Sequence, residues 1–276
     1  MADTDPIQPI HEPAVPFLDE EAAWVRDAAD RFEGARAEEL LAWSLDTFYP
    51  RIAISAAGGV DGLALLDMAW RINPDVRVFT LDTGRLPPET YALFEEIRER
   101  YGINVEFEVP NGRDVAKLTT AYGPNLMYRS VDLRIACCNV RKVEPLKRKL
   151  ATLDAWIAGL RREQWVSRSN IAKVELDRDH GGIVKLNPVA DWTLERVWDY
   201  VREHDVPYHS LFDQGYTSIG CAPCARAVAP GESERAGRWW WEQETDKECG
   251  IHCSVGLLGT ASDREREDRE REGAAG

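Results

Sequence analysis

The chain has 276 residues, 44% of them hydrophobic, which suits one sizeable core with an appended segment. Lys and Arg number 34 against 48 Asp and Glu, a net charge of −14, so long-range electrostatics oppose unspecific binding to nucleic acid or to an anionic membrane surface. No apolar run nears the ~18 residues of a membrane span, and the opening residues have neither a basic nor an apolar leader region, so a cytoplasmic location is expected.

The first residues, to about Pro16, are rich in Pro and acids and predict a loosely held arm over 1–17. From Leu18 to Phe48 the apolar spacing of Ala22, Val25 and Ala28, then of Leu40, Leu41 and Leu45, predicts helices. Arg51–Ser55 predicts a strand that runs into the turn Ala56-Ala-Gly-Gly-Val-Asp-Gly62 and then a helix over Leu63–Trp70. A second strand, Val76–Leu81, ends in Asp82-Thr-Gly-Arg85, and a helix opens at Pro87-Pro88 and runs to about Arg100. Ile103–Phe107 and Ala155–Ala158 predict further strands, and Thr193–Arg202 an amphipathic helix with Trp192 and Trp198 inward. Strands alternating with helices imply an α/β fold, an open and mostly parallel sheet with flanking helices, whose site lies at the carboxyl ends of the strands. The stretch from Cys221 to Cys253 lacks periodicity and would be held by a metal centre or ligand, and Asp263–Glu272 is a mixed-charge run expected to be solvated.

The six cysteines are Cys137, Cys138, Cys221, Cys224, Cys249 and Cys253. With no secretory leader in a chain of this size, metal binding or thiol chemistry is a better expectation than a disulfide framework. Cys137-Cys138 and Cys221-Ala-Pro-Cys224 supply the four thiolates of a tetrathiolate site. An adjacent pair suits a single zinc ion poorly, whereas an iron–sulfur cube presents separate corners, so a four-iron cluster is favoured over zinc. The alternative is two buried Cys beside an unrelated CxxC. The glycine turn, with Ser55, Gly58, Gly59 and Asp61, sits where backbone N–H groups and a helix N-terminus cradle phosphate or sulfate, though a plain tight connection would look the same. It is neither a Walker loop nor a dinucleotide fingerprint. Leu81, Asp82 and Thr83 end the next strand, in a position suited to a nucleoside. Arg134, Arg141 and Lys142, then Arg161, Arg162 and Arg168, then Arg226, Arg235 and Arg238 gather cations against the global charge and point to a local anion site, although any one of them alone suits a surface ion pair. Cys249, flanked by Lys247, Gly250 and His252, is a candidate nucleophile, with a further buried or metal-linked thiol as its alternative.

Ile135-Ala-Cys-Cys-Asn-Val-Arg-Lys-Val-Glu-Pro-Leu146, Ser218-Ile-Gly-Cys-Ala-Pro-Cys224, Arg235-Ala-Gly-Arg-Trp-Trp-Trp-Glu242 and Lys247-Glu-Cys-Gly-Ile-His252 resemble the assimilatory adenylyl-sulfate (APS) reductases, in order, from about Arg51 to His252. The resemblance implies a fold like that of the adenine nucleotide alpha hydrolases. It implies reduction of APS to sulfite and AMP, with thioredoxin as electron donor and Cys249 as the nucleophile that carries the sulfonate. It assigns Cys137, Cys138, Cys221 and Cys224 to a [4Fe-4S] cluster, and Lys142, Arg235 and Arg238 to the sulfate and phosphate, with His252 as a closing residue. A homo-oligomer is also implied. The expected organisation is then an arm over 1–17, a nucleotide- and cluster-binding domain over 18–224, a mobile active-site tail over 225–255 and a charged tail over 256–276. Two positions depart from the family: Trp165 replaces a small residue, and Ser55-Ala-Ala differs from the usual pattern. The rival readings are a 3′-phospho-APS (PAPS) reductase, an ATP-using adenylyl transferase such as a sulfurylase subunit, against which Gly62 argues, and a non-catalytic iron–sulfur redox sensor.

Overall fold

The computed structural model describes residues 19–242 and Ile251. Helices α1 (Asp19–Phe32) and α2 (Ala37–Phe48) precede the sheet. Leu40, Leu41 and Leu45 of α2 recur at helical spacing and turn one buried face to the core. Two strand–helix–strand units follow through β1 (Ile52–Ser55), α3 (Val60–Ile72), β2 (Val78–Leu81), α4 (Pro88–Tyr101) and β3 (Glu106–Glu108). Pro88 begins α4, where its missing N–H has no helical partner to lose, and Gly102, at φ 70°, ends it in the left-handed conformation that glycine adopts without strain.

The chain continues through α5 (Gly112–Tyr122), α6 (Val131–Cys138) and α7 (Glu144–Leu150) to β4 (Ala155–Ala158). A hairpin of β5 (Val174–Asp177) and β6 (Ile183–Leu186) and then α8 (Leu194–Glu203) complete the regular elements among the described residues. The sheet order is β3-β2-β1-β4-β6-β5, parallel throughout except for the β5–β6 pair. Chain order runs outward from β1 on one side and returns to its other side at β4. The β1–β4 boundary is therefore the switch point above which open α/β sheets bind ligands.

Both faces of the central strands are buried, with period-two alternation. Ile52 and Ile54 of β1, with Ala155 and Ile157 of β4, join α2, α3, α4 and α8 in one core. Ala53, Trp156 and Ala158 face the other way, with Phe79 of β2, against Leu146 and Leu150 of α7. Each fully buried Leu or Ile contributes about 1.5–3 kcal/mol, so this double cover fixes the strand register beneath the site.

The expected strand at Ile103–Phe107 begins later, at Glu106. Ile103 is instead a core residue just after the Gly102 turn, and Phe107 is exposed on the short edge strand. In α8 the fully inward positions are Val197 and Val201, whereas Trp198 is half-buried against Tyr208 and Phe212. Among the described residues no helix is long and apolar enough to cross a membrane.

Candidate active site

The glycine turn lies over the switch point. Ser55 ends β1, and the Ala56 N–H donates to the Phe79 carbonyl at 2.9 Å, continuing the strand pairing into the turn. Gly58 adopts φ +83°, and a Cβ there would stand 3.0 Å from the His209 ring, so two requirements select glycine. The His209 ring is itself fixed by the Thr90 hydroxyl at 2.9 Å. Gly59 precedes α3 without any side-chain cap. The first backbone N–H groups of this helix therefore suit an anion.

Asp61, in the first turn of α3, is directed into the protein. Its Oδ1 lies 2.5 Å from Arg161 Nε, and its Oδ2 accepts from Gln164 Nε2 at 3.0 Å. Burial pushes its carboxyl above the ordinary range, while Arg161 and Arg168 pull it down. At the end of β4, a Cβ on Gly159 would come within 2.8 Å of Gly62 N and 3.0 Å of Asp61, so this glycine permits the close approach of β4 to α3.

At the end of β2, Leu81 is half-buried. Asp82 Oδ1 accepts from Gly84 N–H and from the Tyr91 hydroxyl, both at 2.9 Å. Thr83 is fully buried, its hydroxyl 3.2 Å from Cys221 Sγ and its carbonyl 2.6 Å from Arg141 Nη1. Thr83 thus faces the thiols, where the sequence suggested a nucleoside.

Cys137, Cys138, Cys221 and Cys224 are all buried, none of them in a disulfide, and line one cavity with Arg134, Arg141, Lys142, Arg85, Met127, Pro223 and Trp239. The adjacent pair reaches this wall from the end of α6, where the helical run passes through a π-helical turn, Asn139–Val143, into α7. Pro145 accounts for the turn: in an uninterrupted α-helix its ring would collide with the Arg141 carbonyl and leave that acceptor without a donor. The second pair comes from a segment tied to the loop after β2 by the Ala222 N–H bond to the Arg85 carbonyl, at 2.8 Å.

Burial opposes the Cys221 thiolate, but Lys142, the Thr83 hydroxyl, Arg238 and Arg141 outweigh it and hold the pKa below the ordinary thiol value. Burial and the neighbouring Cys221 push Cys224 up to about 11. Among the described residues no three His, Cys, Asp or Glu side chains close on a single ion, for which four sulfurs would draw to about 3.8 Å of one another. The donor set nevertheless suits a larger, sulfur-rich anion: four soft thiols, cations on the same wall, and the buried donors Arg141 Nε and Trp239 Nε1 without a hydrogen-bond partner.

Arg238 lies flat on the backbone at Gly220, where a Cβ would meet its guanidinium at 2.6 Å. It donates to the Ile219 carbonyl at 2.7 Å and stacks 4.8 Å from the Trp239 ring centroid. Lys142 and Arg238 thus both stand beside the thiols. Arg235 is buried with its guanidinium 5.7 Å from the Trp165 ring centroid, so the residue that departs from the family pattern packs against a cation. Arg168 donates to Gln164 Oε1 at 2.6 Å.

Arg162 turns elsewhere, to Glu33 at 2.5 Å and to the Ile171 carbonyl at 2.9 Å. Its neighbour Arg161, one of three arginines in that stretch of sequence, is the one that engages the glycine turn. Their partners sit far apart in the chain, so no local spacing separates the two. Cys249, His252 and Cys253 lie outside the described residues. Ile251 is described and is buried with Phe79, Leu146 and Trp156, on the α7 face of the sheet.

Comparison with known proteins gives this geometry a family. Residues 51–227 match the phosphoadenosine phosphosulfate reductase domain. A protein of Allochromatium vinosum named adenosine 5'-phosphosulfate reductase is 47% identical over 201 residues, covering 73% of this chain and 78% of that one. One of the same name from Pseudomonas aeruginosa is 44% identical over 221 residues, covering 78% and 82%. The solved structure of a phosphoadenylyl-sulfate (PAPS) reductase from Candida auris in complex with phosphate superposes with a TM-score of 0.64 at 27% identity, over 78% of this chain and all of that one. The chain belongs to the phosphoadenosine phosphosulfate reductase family.

Proposed function

We propose that the chain is an oxidoreductase of sulfate assimilation that converts adenosine 5'-phosphosulfate to sulfite and AMP. One observation carries the reading: the segment that brings Cys221 and Cys224 to the four-thiol cavity, with Lys142 and Arg238 beside its thiols, also reaches the glycine turn, where a Cβ on Gly58 would lie 3.5 Å from the Ile219 side chain. The names of its relatives support APS as the sulfonate donor.

Cys137, Cys138, Cys221 and Cys224 would hold a [4Fe-4S] cluster. When bound, such a cluster supplies fixed electrostatics beside the substrate and ties α6 to the segment carrying Cys221. The N-terminus of α3 and the glycine turn receive the anionic group of the nucleotide. Lys142, Arg235 and Arg238 screen the charge of the sulfuryl group, which would otherwise repel an approaching thiolate.

Cys249 supplies that thiolate. A bond forms between its sulfur and the sulfur of APS, the bond from that sulfur to the phosphate oxygen breaks, and the electron pair leaves with AMP. A dithiol reductant of the thioredoxin class then attacks Cys249 Sγ and expels sulfite. Its second thiol resolves the mixed disulfide, returning Cys249 to the thiol and leaving the reductant oxidised.

The test is sulfite release by anaerobically purified protein with thioredoxin and either nucleotide. A larger kcat/KM for APS than for PAPS is expected. The reverse ratio would move the substrate to PAPS, and no sulfite from either would overturn the reading.

A further inference from the structure

Arg161 lies three residues beyond β4 and has no exposure to solvent. Its guanidinium is divided among carboxylates from three stretches of chain: Asp61 at 2.5 Å, Glu234 at 3.2 Å, and Glu163. Asp61 belongs to the first turn of α3, directly behind the glycine turn. Glu234 immediately precedes Arg235, and its backbone carbonyl accepts from the Thr217 hydroxyl at 2.5 Å, so that segment is held from two sides. Burial pushes both Asp61 and Glu234 above the ordinary carboxylate range, and in each case Arg161 is the principal opposing charge.

Stability alone does not account for such a hub. Withdrawing the Arg161 guanidinium and the Asp61 carboxyl from water is expensive, and apolar side chains of similar volume often serve a core as well or better. What the guanidinium adds is direction, because its donors radiate in a fixed plane and can orient three acids at once. Two of the three acids, Asp61 and Glu234, sit on the two elements read as anion-binding.

We propose that Arg161 is a positioning residue for substrate binding: it locks the glycine turn to the segment bearing Arg235, so that both meet the phosphosulfate group at one spacing. The inference rests on the reading of Arg235 as a ligand of that group. Arg161 itself touches only protein. Its loss would release the two elements from each other and leave a buried Asp61 and a half-buried Glu234 unpaired beside an anion site, so the penalty falls on affinity for the nucleotide.

The experiment uses the cluster-loaded enzyme and the variants Arg161→Met, Arg161→Lys and Glu234→Gln. It combines steady-state kinetics on APS with calorimetric binding of AMP. Thermal melts and the visible iron–sulfur absorbance report folding and cluster content.

For Arg161→Met, KM for APS is expected to rise by about tenfold or more, with a smaller fall in kcat and a parallel weakening of AMP. Arg161→Lys should restore part of the loss, since it keeps the charge but not the fork. Glu234→Gln should raise KM severalfold. If Arg161→Met does not fold, Glu234→Gln decides, because the Glu234 side chain is 24% exposed and its amide keeps the shape. Folded, cluster-bearing Glu234→Gln and Arg161→Lys proteins with KM and AMP affinity within about twofold of wild type would overturn the proposal. Wild-type protein that binds AMP but releases no sulfite from APS would instead overturn the functional reading, and this inference with it.

Discussion

At Gly159 a hydrogen in place of a methyl group lets the end of β4 lie against the first turn of α3. A Cβ there would press on Gly62 N and Asp61, which are backbone and a locked side chain, so neither can yield. Gly159→Ala is expected to destabilise the protein by about 1–3 kcal/mol, read as a lower urea midpoint with an unchanged slope; an unchanged midpoint would contradict the packing described. Cys249→Ser should bind nucleotide with ordinary affinity and release no sulfite, and sulfite at the wild-type rate would remove Cys249 from the chemistry. At this scale the thiols were legible because their spacing survives folding unchanged. Asp61 was read as part of the anion site, and its actual partner could not be, since Arg161 is distant in sequence and is flanked by Arg162, which pairs with Glu33 instead. The contact of the Thr83 hydroxyl with Cys221 was illegible for a similar reason: the two residues lie 138 positions apart in the chain.

Among the elements, the helical run from Val131 to Leu150 and the segment carrying Cys221 make the thiol cavity jointly. Cys137→Ala or Cys224→Ala should therefore abolish visible iron–sulfur absorbance and most activity. The far-ultraviolet circular dichroism should remain near wild type, because the sheet core does not pass through these residues. A second joint lies on the other side of the sheet, where Asp67 of α3 accepts from Arg71 at 2.6 Å, from Tyr101 of α4 at 3.0 Å and from Tyr200 of α8 at 2.7 Å.

Burial raises the Asp67 carboxyl, but these hydrogen bonds outweigh it and hold the pKa below the ordinary value. A depressed folded-state pKa stabilises the protein above the ordinary Asp value, and that contribution is lost as pH falls through the folded one. The stability gap between wild type and Asp67→Asn should accordingly shrink as pH is lowered from about 6 to about 3, and a gap that widens would contradict the sign. β1, β2 and β4 were readable from their apolar runs. β5 and β6 were not, because Glu175, Asp177 and Lys185 interrupt them; Lys185 pairs with Glu175 across the hairpin, and Asp177 Oδ1 lies 2.9 Å from His180 Nδ1.

For the whole molecule, topology does what composition could not. A chain of net charge −14 gathers Arg85, Arg134, Arg141 and Lys142 on one cavity, in a fold whose strand order reverses between β1 and β4. The parallel α/β class followed from alternating strand and helix patterns, since a crossover helix leaves its signature in sequence. The antiparallel edge pair and the contacts of Thr83 with Arg141 and Cys221, and of Gly58 with the Ile219 segment, are long-range facts that no local pattern carries.

The central claim, that this crevice presents APS to Cys249, is tested most directly by mass spectrometry of anaerobic protein incubated with APS alone. The account predicts the mass of one sulfonate on the peptide bearing Cys249, discharged as sulfite when thioredoxin is added. Cluster-loaded protein that gains no sulfonate on that peptide, from APS or from PAPS, would contradict it.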